Sequence, residues 1–258
     1  MGNTIQLGQI MGAAPVLGLR SGAAVAAGKV IAAGGTLTAG IALLLRAVRA
    51  SRGRPPQHIP TPGSDDAAEY PCPEWLDRGG KINLCVSGQS GVGKSSFINA
   101  IRRLRPGEEG AARVGVRQTT FERQAYAFAG FSAALIDDCE RLWDVPGGGT
   151  LSFPIASYIK DMGLRYFDCV IIIVDRRLTE IDKYLAERLN SFRVPFFVVR
   201  SKVDRDIEDN EHDNGIPAQT TVDQLREEMI EFGFPADRVF LISSRQPITL
   251  ELVVISGG

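Results

Sequence analysis

From Lys81 onward, short apolar runs alternate with stretches of helical period. Lys81 to Ser87 (KINLCVS) is apolar and β-rich, and Ser96 to Leu104 (SFINAIRRL) then puts Phe97, Ile98, Ile101 and Leu104 on one helical face. Phe121 to Phe128 predicts a second strand, and Cys139 to Asp144 part of a third. A helix near Pro154 to Tyr166 precedes DCVIIIVD, Asp168 to Asp175, a near-continuous apolar run that suits a central strand covered on both faces. Thr179 and Asp182 form a capping box for a helix running to Phe192. Pro195 to Val199 is the next buried strand. Thr220 and Asp223 cap a further helix to Phe232, and Arg238 to Ser243 (RVFLIS) supplies the last strand. This alternation predicts an α/β fold of three layers with a doubly wound, mainly parallel sheet.

Residues 1–54 read differently. They are rich in glycine and alanine, and the uncharged run Val30 to Leu45 is shorter than a usual membrane span. Extended back to Ser21 it is long enough, at the cost of including Lys29. Small residues recur at the close spacing of helices that pack tightly in membranes. Arg46, Arg49, Arg52 and Arg54 follow, as positive residues do on the cytosolic side of a membrane. The same basic, acid-free stretch also reads as an organelle transit peptide. A polar linker rich in proline and turn formers comes next.

Charge sharpens this division. The net charge of −1 conceals a segment from Met1 to Ser64 with six basic and no acidic residues. The remainder holds 23 of the 29 basic residues against all 30 acidic ones, so it is acidic. An acidic globular part argues against binding a nucleic-acid backbone over a broad surface. The four cysteines form no C-x-x-C pair; Cys85 and Cys169 lie in apolar runs, and His58 and His212 in loop-like stretches. Buried free thiols in a reducing compartment fit this usage better than disulfides or a metal site.

The candidate chemistry begins where the first strand ends. GQSGVGKS, Gly88 to Ser95, fits the pattern G-x-x-x-x-G-K-[ST] and stands between a predicted strand and a predicted helix. That context makes Gly88, Gln89, Ser90, Gly91, Val92 and Gly93 a phosphate cradle, with Lys94, Ser95 and Ser96 opening the helix. Lys94 would reach the β- and γ-phosphates, and the Ser95 hydroxyl would ligate Mg²⁺. LWDVPGGG then puts Asp144 at a strand end to hold Mg²⁺ directly or through water, with the Gly147 N–H available to the γ-phosphate. VVRSKVD ends a strand with Ser201, Lys202 and Asp204, similar to the [NT]-K-x-D guanine-reading motif. An aspartate there accepts from the guanine ring N–H and amine, and adenine offers the opposite pattern. Thr120 precedes the second strand at the interval of a mobile threonine that closes over Mg²⁺, and Thr119 fits equally. Ser243 and Ser244, after the last strand, would contact the base through backbone N–H groups.

Taken together, GQSGVGKSSFINAIR, EEGAARVGVRQTTFER, LWDVPGGGT with FP shortly after, and FFVVRSKVD resemble the immunity-related (interferon-inducible) GTPases, over about Lys81 to Ser244. The resemblance implies a P-loop domain like that of the small signalling GTPases, flanked by a helical domain built from both termini. It implies binding of GTP and GDP with Mg²⁺, self-association of the GTP-bound form as a homodimer or oligomer, and action on intracellular membranes in cell-autonomous defence. Lys94, Thr120 and Gly147 become the catalytic candidates. The expected division is a membrane-associating segment 1–54, a linker 55–80, a GTP-binding domain 81–247 facing the cytosol, and a tail 248–258. The sequence departs from the family at Gln118, where members often carry an acidic residue, and in ITLELVVISGG, which has no helical pattern where the family continues in helices. Gly148 stands where many small GTPases carry a water-orienting glutamine. A GTPase and a GTP-dependent membrane scaffold with little hydrolysis are therefore both expected readings.

Overall fold

The computed structural model describes residues 59, 64–79, 81–115, 122–127, 140–149 and 153–243. A six-stranded sheet forms the middle layer: β1 (Ile82–Ser87), β2 (Gln124–Ala127), β3 (Glu140–Asp144), β4 (Cys169–Val174), β5 (Phe196–Arg200) and β6 (Val239–Leu241), in the order β2-β3-β1-β4-β5-β6. Only β2 runs antiparallel, against β3. The remaining pairs are parallel, with Val86 opposite Asp144 in β3 and Val86 opposite Ile171 in β4. This is the doubly wound sheet of a P-loop nucleotide-binding fold.

Period-2 alternation divides each strand between two cores. Leu84, Val86, Ile171, Ile173, Phe197 and Val199 face the side covered by α2 (Lys94–Ile101), where Phe97, Ile98 and Ile101 are buried. Cys85, Val170, Ile172, Val174, Phe196 and Val198 face the opposite side. There they meet Tyr158 and Met162 around α3 (Ile155–Asp161), Leu185 and Leu189 of α4 (Glu180–Ser191), and Leu225 and Met229 of α6 (Ala218–Glu231). Strands covered on both faces have no polar side to show, which is why β1, β4 and β5 read as unbroken apolar runs.

The helices depart from expectation in identifiable ways. The first ends at Ile101 rather than Leu104, because Arg103 turns into the left-handed region at φ 56. The helix expected to reach Tyr166 stops at Asp161; Gly163, at φ 62, separates it from a 3₁₀ turn at Leu164–Tyr166. α4 carries its Thr179–Asp182 capping box as expected. α6 does not start at a Thr220 cap: it begins at Ala218 behind Pro217, whose ψ of 149 sets the entry, and Thr220 and Asp223 lie inside it. The helix α5 (Val203–Asn214) has no counterpart in the sequence reading. It buries only Val203 and Asp206, and its largely acidic surface hides the helical period. His212 stands on this helix, not in a loop.

Ahead of β1, residues 64–79 form a strap that packs on the α3–α4 side. Ser64 caps the short helix α1 (Asp65–Glu69) by accepting the Ala67 N–H at 3.1 Å. The Tyr70 carbonyl accepts the Tyr166 hydroxyl at 2.6 Å, and Arg165 lies over the Phe192 ring at 4.2 Å and Tyr70 at 5.1 Å. Trp75 packs against Trp143 of β3 with centroids 5.0 Å apart and ring planes tilted by 55°, and Leu76 is buried. Asn83, fully buried in β1, joins the strap to the sheet. Its Nδ2 donates to the Asp77 carbonyl at 3.1 Å, its Oδ1 accepts Trp143 Nε1–H at 2.8 Å, and its N–H donates to Asp168 Oδ2 at 2.8 Å.

The residues expected to direct the chain to a membrane, 1–54, lie outside the described residues, as do Gln118, Thr119, Thr120, Cys139 and Ser244. Among the described residues no helix is long and apolar enough to cross a membrane.

Candidate functional site

The parallel strands deliver their carboxyl ends to one edge of the sheet, and the chain order reverses about β1 there. β1 leads into the loop Gly88–Gly93, β3 into Asp144–Gly149, β4 into Asp175, β5 into Ser201–Asp204 and β6 into Ser243. All the predicted site residues that lie among the described ones sit at this edge.

Two glycines let the backbones close in. Gly88 has φ 136, and a Cβ there would fall 2.2 Å from the Ile173 carbonyl oxygen of β4. A Cβ at Gly147 would fall 2.6 Å from the Ser90 backbone nitrogen. The loop after β3 thus lies directly against the cradle, joined by the Gly148 N–H on the Gly88 carbonyl at 3.3 Å and a parallel bridge between Gln89 and Gly148. α2 begins behind Gly93 with no side-chain cap and no acidic residue in its first turn. Its unpaired first-turn N–H groups and dipole therefore favour an anion at that end.

Lys94 folds back along this loop. Its Nζ donates to the carbonyls of Gln89 at 2.8 Å and Gly88 at 3.2 Å, and it is nearly enclosed. Burial pushes its pKa down, while the neighbouring Asp144 pulls it back up. The Ser95 hydroxyl donates to Asp144 Oδ2 at 2.8 Å, so the first hydroxyl of α2 and the carboxylate ending β3 meet at one point. Two hard oxygen donors beside a phosphate loop are the chemistry that Mg²⁺ selects, and these residues fit that ion.

The segment after β5 is bonded to the same loop. The Ser201 hydroxyl, buried, bonds the Val92 carbonyl at 2.6 Å and lies 3.2 Å from that of Val174. Lys202, at φ 62, donates from Nζ to the Gly91 carbonyl at 3.1 Å and pairs with Asp175. Asp204 stands half-buried in the first turn of α5. That turn is held from beneath. Asp206 takes Arg200 Nη2 at 3.2 Å and Arg176 Nε at 2.5 Å, and Arg200 also reaches Glu228 at 2.7 Å.

Lys94, Ser95, Asp144, Gly147, Ser201 and Lys202 are therefore brought together, with Asp204 and Ser243 at the adjoining strand ends. Sequence reasoning missed Asp175, Tyr158 and the side-chain role of Gln89. The Tyr158 hydroxyl donates to the Pro146 carbonyl at 2.7 Å and lies 3.1 Å from Ser87 Oγ, clamping the segment after β3. Asp175 left one signal, an aspartate closing the apolar run DCVIIIVD.

The family model for interferon-inducible GTPases (IIGP) matches residues 77–252. The chain belongs to that family. Among curated members, mouse interferon-inducible GTPase 1 is 37% identical over 126 residues, which is 49% of this chain and 29% of that protein. Mouse interferon-gamma-inducible GTPase 10 is 31% identical over 169 residues, 63% of this chain and 39% of that one. The chain thus spans about a third of the length of the curated relatives it matches. A solved structure of S. thermophilus NFeoB bound to GDP·AlF4⁻ is 23% identical at a TM-score of 0.42, over 63% of this chain and 57% of that one.

The Ser201 tether gives this family member a measurable weak point. Replacing Ser201 with Ala leaves the Val92 carbonyl without its buried donor, a loss of about 1–2 kcal/mol. Urea unfolding of Ser201→Ala is expected to show that decrease at unchanged slope, and full wild-type stability would contradict the tether.

Proposed function

We propose that the chain binds GTP and GDP at this edge and hydrolyses GTP to GDP and phosphate. One observation carries the reading: Ser201 and Lys202 are hydrogen-bonded to Val92 and Gly91 of the cradle. An ordinary charged turn has no reason to be fastened to a phosphate loop, whereas a base reader must sit one nucleotide's length from it. In this reading the backbone N–H groups from Gly88 to Ser96 surround the phosphates, Lys94 places its positive charge on them, and Asp204 accepts from the guanine ring. Ser95 and Asp144 would hold Mg²⁺, with Thr120 added from outside the described residues. When bound, that ion would neutralise charge on the phosphate oxygens. Gly147 would offer its N–H to the γ-phosphate, and Ser243, with Ser244 added from outside the described residues, would contact the base through backbone N–H groups.

Hydrolysis needs a positioned water, and Gly148 supplies no group for it. A Cβ at Gly148 would lie 3.3 Å from the ring of Tyr158, which is fully buried, so a side chain there requires that ring to give by a few tenths of an ångström. Preorganised charge at the cradle gives some rate enhancement alone, and a second copy of the chain would add the missing group. The lack of a water-orienting side chain at Gly148 favours a second reading, a GTP-dependent membrane scaffold with little hydrolysis. The proposed division of labour keeps residues 1–54 as the membrane-associating segment, 55–80 as a linker whose part 64–79 is the strap packed on the domain, 81–247 as the GTP-binding domain and 248–258 as a tail, in a defence-type role like that of the family. The motivation for the membrane is the apolar stretch ahead of Arg46, Arg49, Arg52 and Arg54.

Three measurements bear on these proposals. Asp204→Asn is expected to shift preference from GTP to xanthosine triphosphate in competition binding, since the xanthine ring oxygen replaces the guanine amine; unchanged GTP preference would remove Asp204 as the base reader. Specific activity of the wild-type chain is expected to climb with protein concentration, and a flat profile at measurable turnover would place catalysis within one copy. Deleting residues 1–54 is expected to release the chain from the membrane fraction of cells. Recovery of a shortened mature protein inside an organelle would instead assign the segment to transit.

A further inference from the structure

Gln89, second in the loop after β1, turns its side chain onto the cap of a different helix. Its Nε2 donates to Thr179 Oγ1 at 2.7 Å and to Asp182 Oδ2 at 3.0 Å. Those two residues are the capping box of α4. The same Asp182 oxygen also accepts the Thr179 N–H at 3.0 Å and the Thr179 hydroxyl at 2.9 Å, and Asp182 is 2% exposed. Three donors converging on one buried carboxylate oxygen make a stiff node, because each hydrogen bond to a charged acceptor is stronger than a neutral one.

The main chain of Gln89 is fixed at the same time. Its carbonyl accepts Lys94 Nζ at 2.8 Å, and its backbone bridges to Gly148. One residue therefore joins the cradle, the Lys94 ammonium, the segment after Asp144 and the first turn of α4. Between Gly88 and Lys94 the loop has three glycines at positive φ, so its backbone has many alternative shapes. A cradle binds phosphate well only if its N–H groups are already aimed, since ordering them during binding subtracts from affinity.

We propose that Gln89 is a positioning residue whose amide anchors the phosphate cradle to the capping box of α4, so that this cap sets how long a nucleotide stays bound. The inference rests on the GTP and GDP reading above. It also makes α4 a lever: whatever displaces its first turn loosens the loop through Asp182. A purely structural role, in which Gln89 only satisfies a buried carboxylate, would move stability and leave nucleotide retention alone.

The test uses the full chain with GDP carrying a fluorescent methylanthraniloyl group, chased by unlabelled GDP, alongside nucleotide-free thermal unfolding. Gln89→Ala is expected to raise the dissociation rate about tenfold, the worth of a hydrogen bond to a charged group. Gln89→Glu sets two carboxylates against each other and is expected to be worse. Adding Asp182→Asn to Gln89→Glu gives the introduced carboxylate an amide donor in return, and the double variant is expected to recover to within about threefold of wild type. A Gln89→Ala rate within about twofold of wild type overturns the proposal. So does a double variant that regains thermal stability without regaining nucleotide retention. Absence of labelled-GDP binding by the wild-type chain would overturn the nucleotide reading, and this inference with it.

Discussion

Only a parallel sheet puts every strand's carboxyl end on one edge, and the site depends on that constraint. β1, β3, β4, β5 and β6 all point the same way, so five loops that are distant in sequence open beside one another. Parallel strands need crossover helices, and those helices cover both faces with apolar side chains. The two cores exist because the topology requires them. In return they hold the edge rigid: Ile173 and Val174 of β4, both buried, supply the carbonyls against which Gly88 and Ser201 are set.

That edge is dense in buried polar groups. Ser87, Lys94, Asp144, Arg200 and Ser201 are each less than a tenth exposed, in a region a sheet would otherwise fill with apolar residues. Burying such groups is costly unless each finds partners. The geometry supplies them, through Ser95 on Asp144, carbonyls on Lys94, and Asp206 with Glu228 on Arg200. Arg200 immediately precedes Ser201, so the ion pairs that hold α5 also fix the direction in which the Ser201–Asp204 segment leaves the sheet. Removing one partner from such a cluster leaves a buried charge uncompensated, typically at a cost of about 3–5 kcal/mol.

Fold class and cradle were legible because their signals are local. Apolar runs, the glycine spacing and the Thr179–Asp182 box each sit within a few residues of chain. What could not be read was either masked or distant. α5 escaped because its acidic residues conceal the period, and because Arg176 and Arg200, which hold Asp206, come from other elements. The α6 start was misplaced because Thr220 and Asp223 imitate a capping pair, whereas the helix enters earlier, at Pro217, with no side-chain cap. Gln89 was legible as a cradle residue, but its side chain carried no local signal. Its partners Thr179 and Asp182 lie 90 and 93 positions away, and Ser201 finds Val92 across 109. Pairings of that range are set by sheet order, which no short pattern contains.

The strap adds an optical consequence. The chain contains two tryptophans, and Trp75 and Trp143 are packed against one another at a tilt, Trp143 being next to Asp144 in β3. A cleft beside them is lined by Pro146, Phe153, Glu122 and Arg123, with the Arg123 guanidinium 4.9 Å above the Trp75 ring. Tryptophan emission from this protein therefore arises from a single patch, where the strap, β3 and the segment leading to Gly147 touch. The molecule carries its own spectroscopic label where the strap meets the sheet, and its colour and intensity belong to that junction rather than to the fold at large.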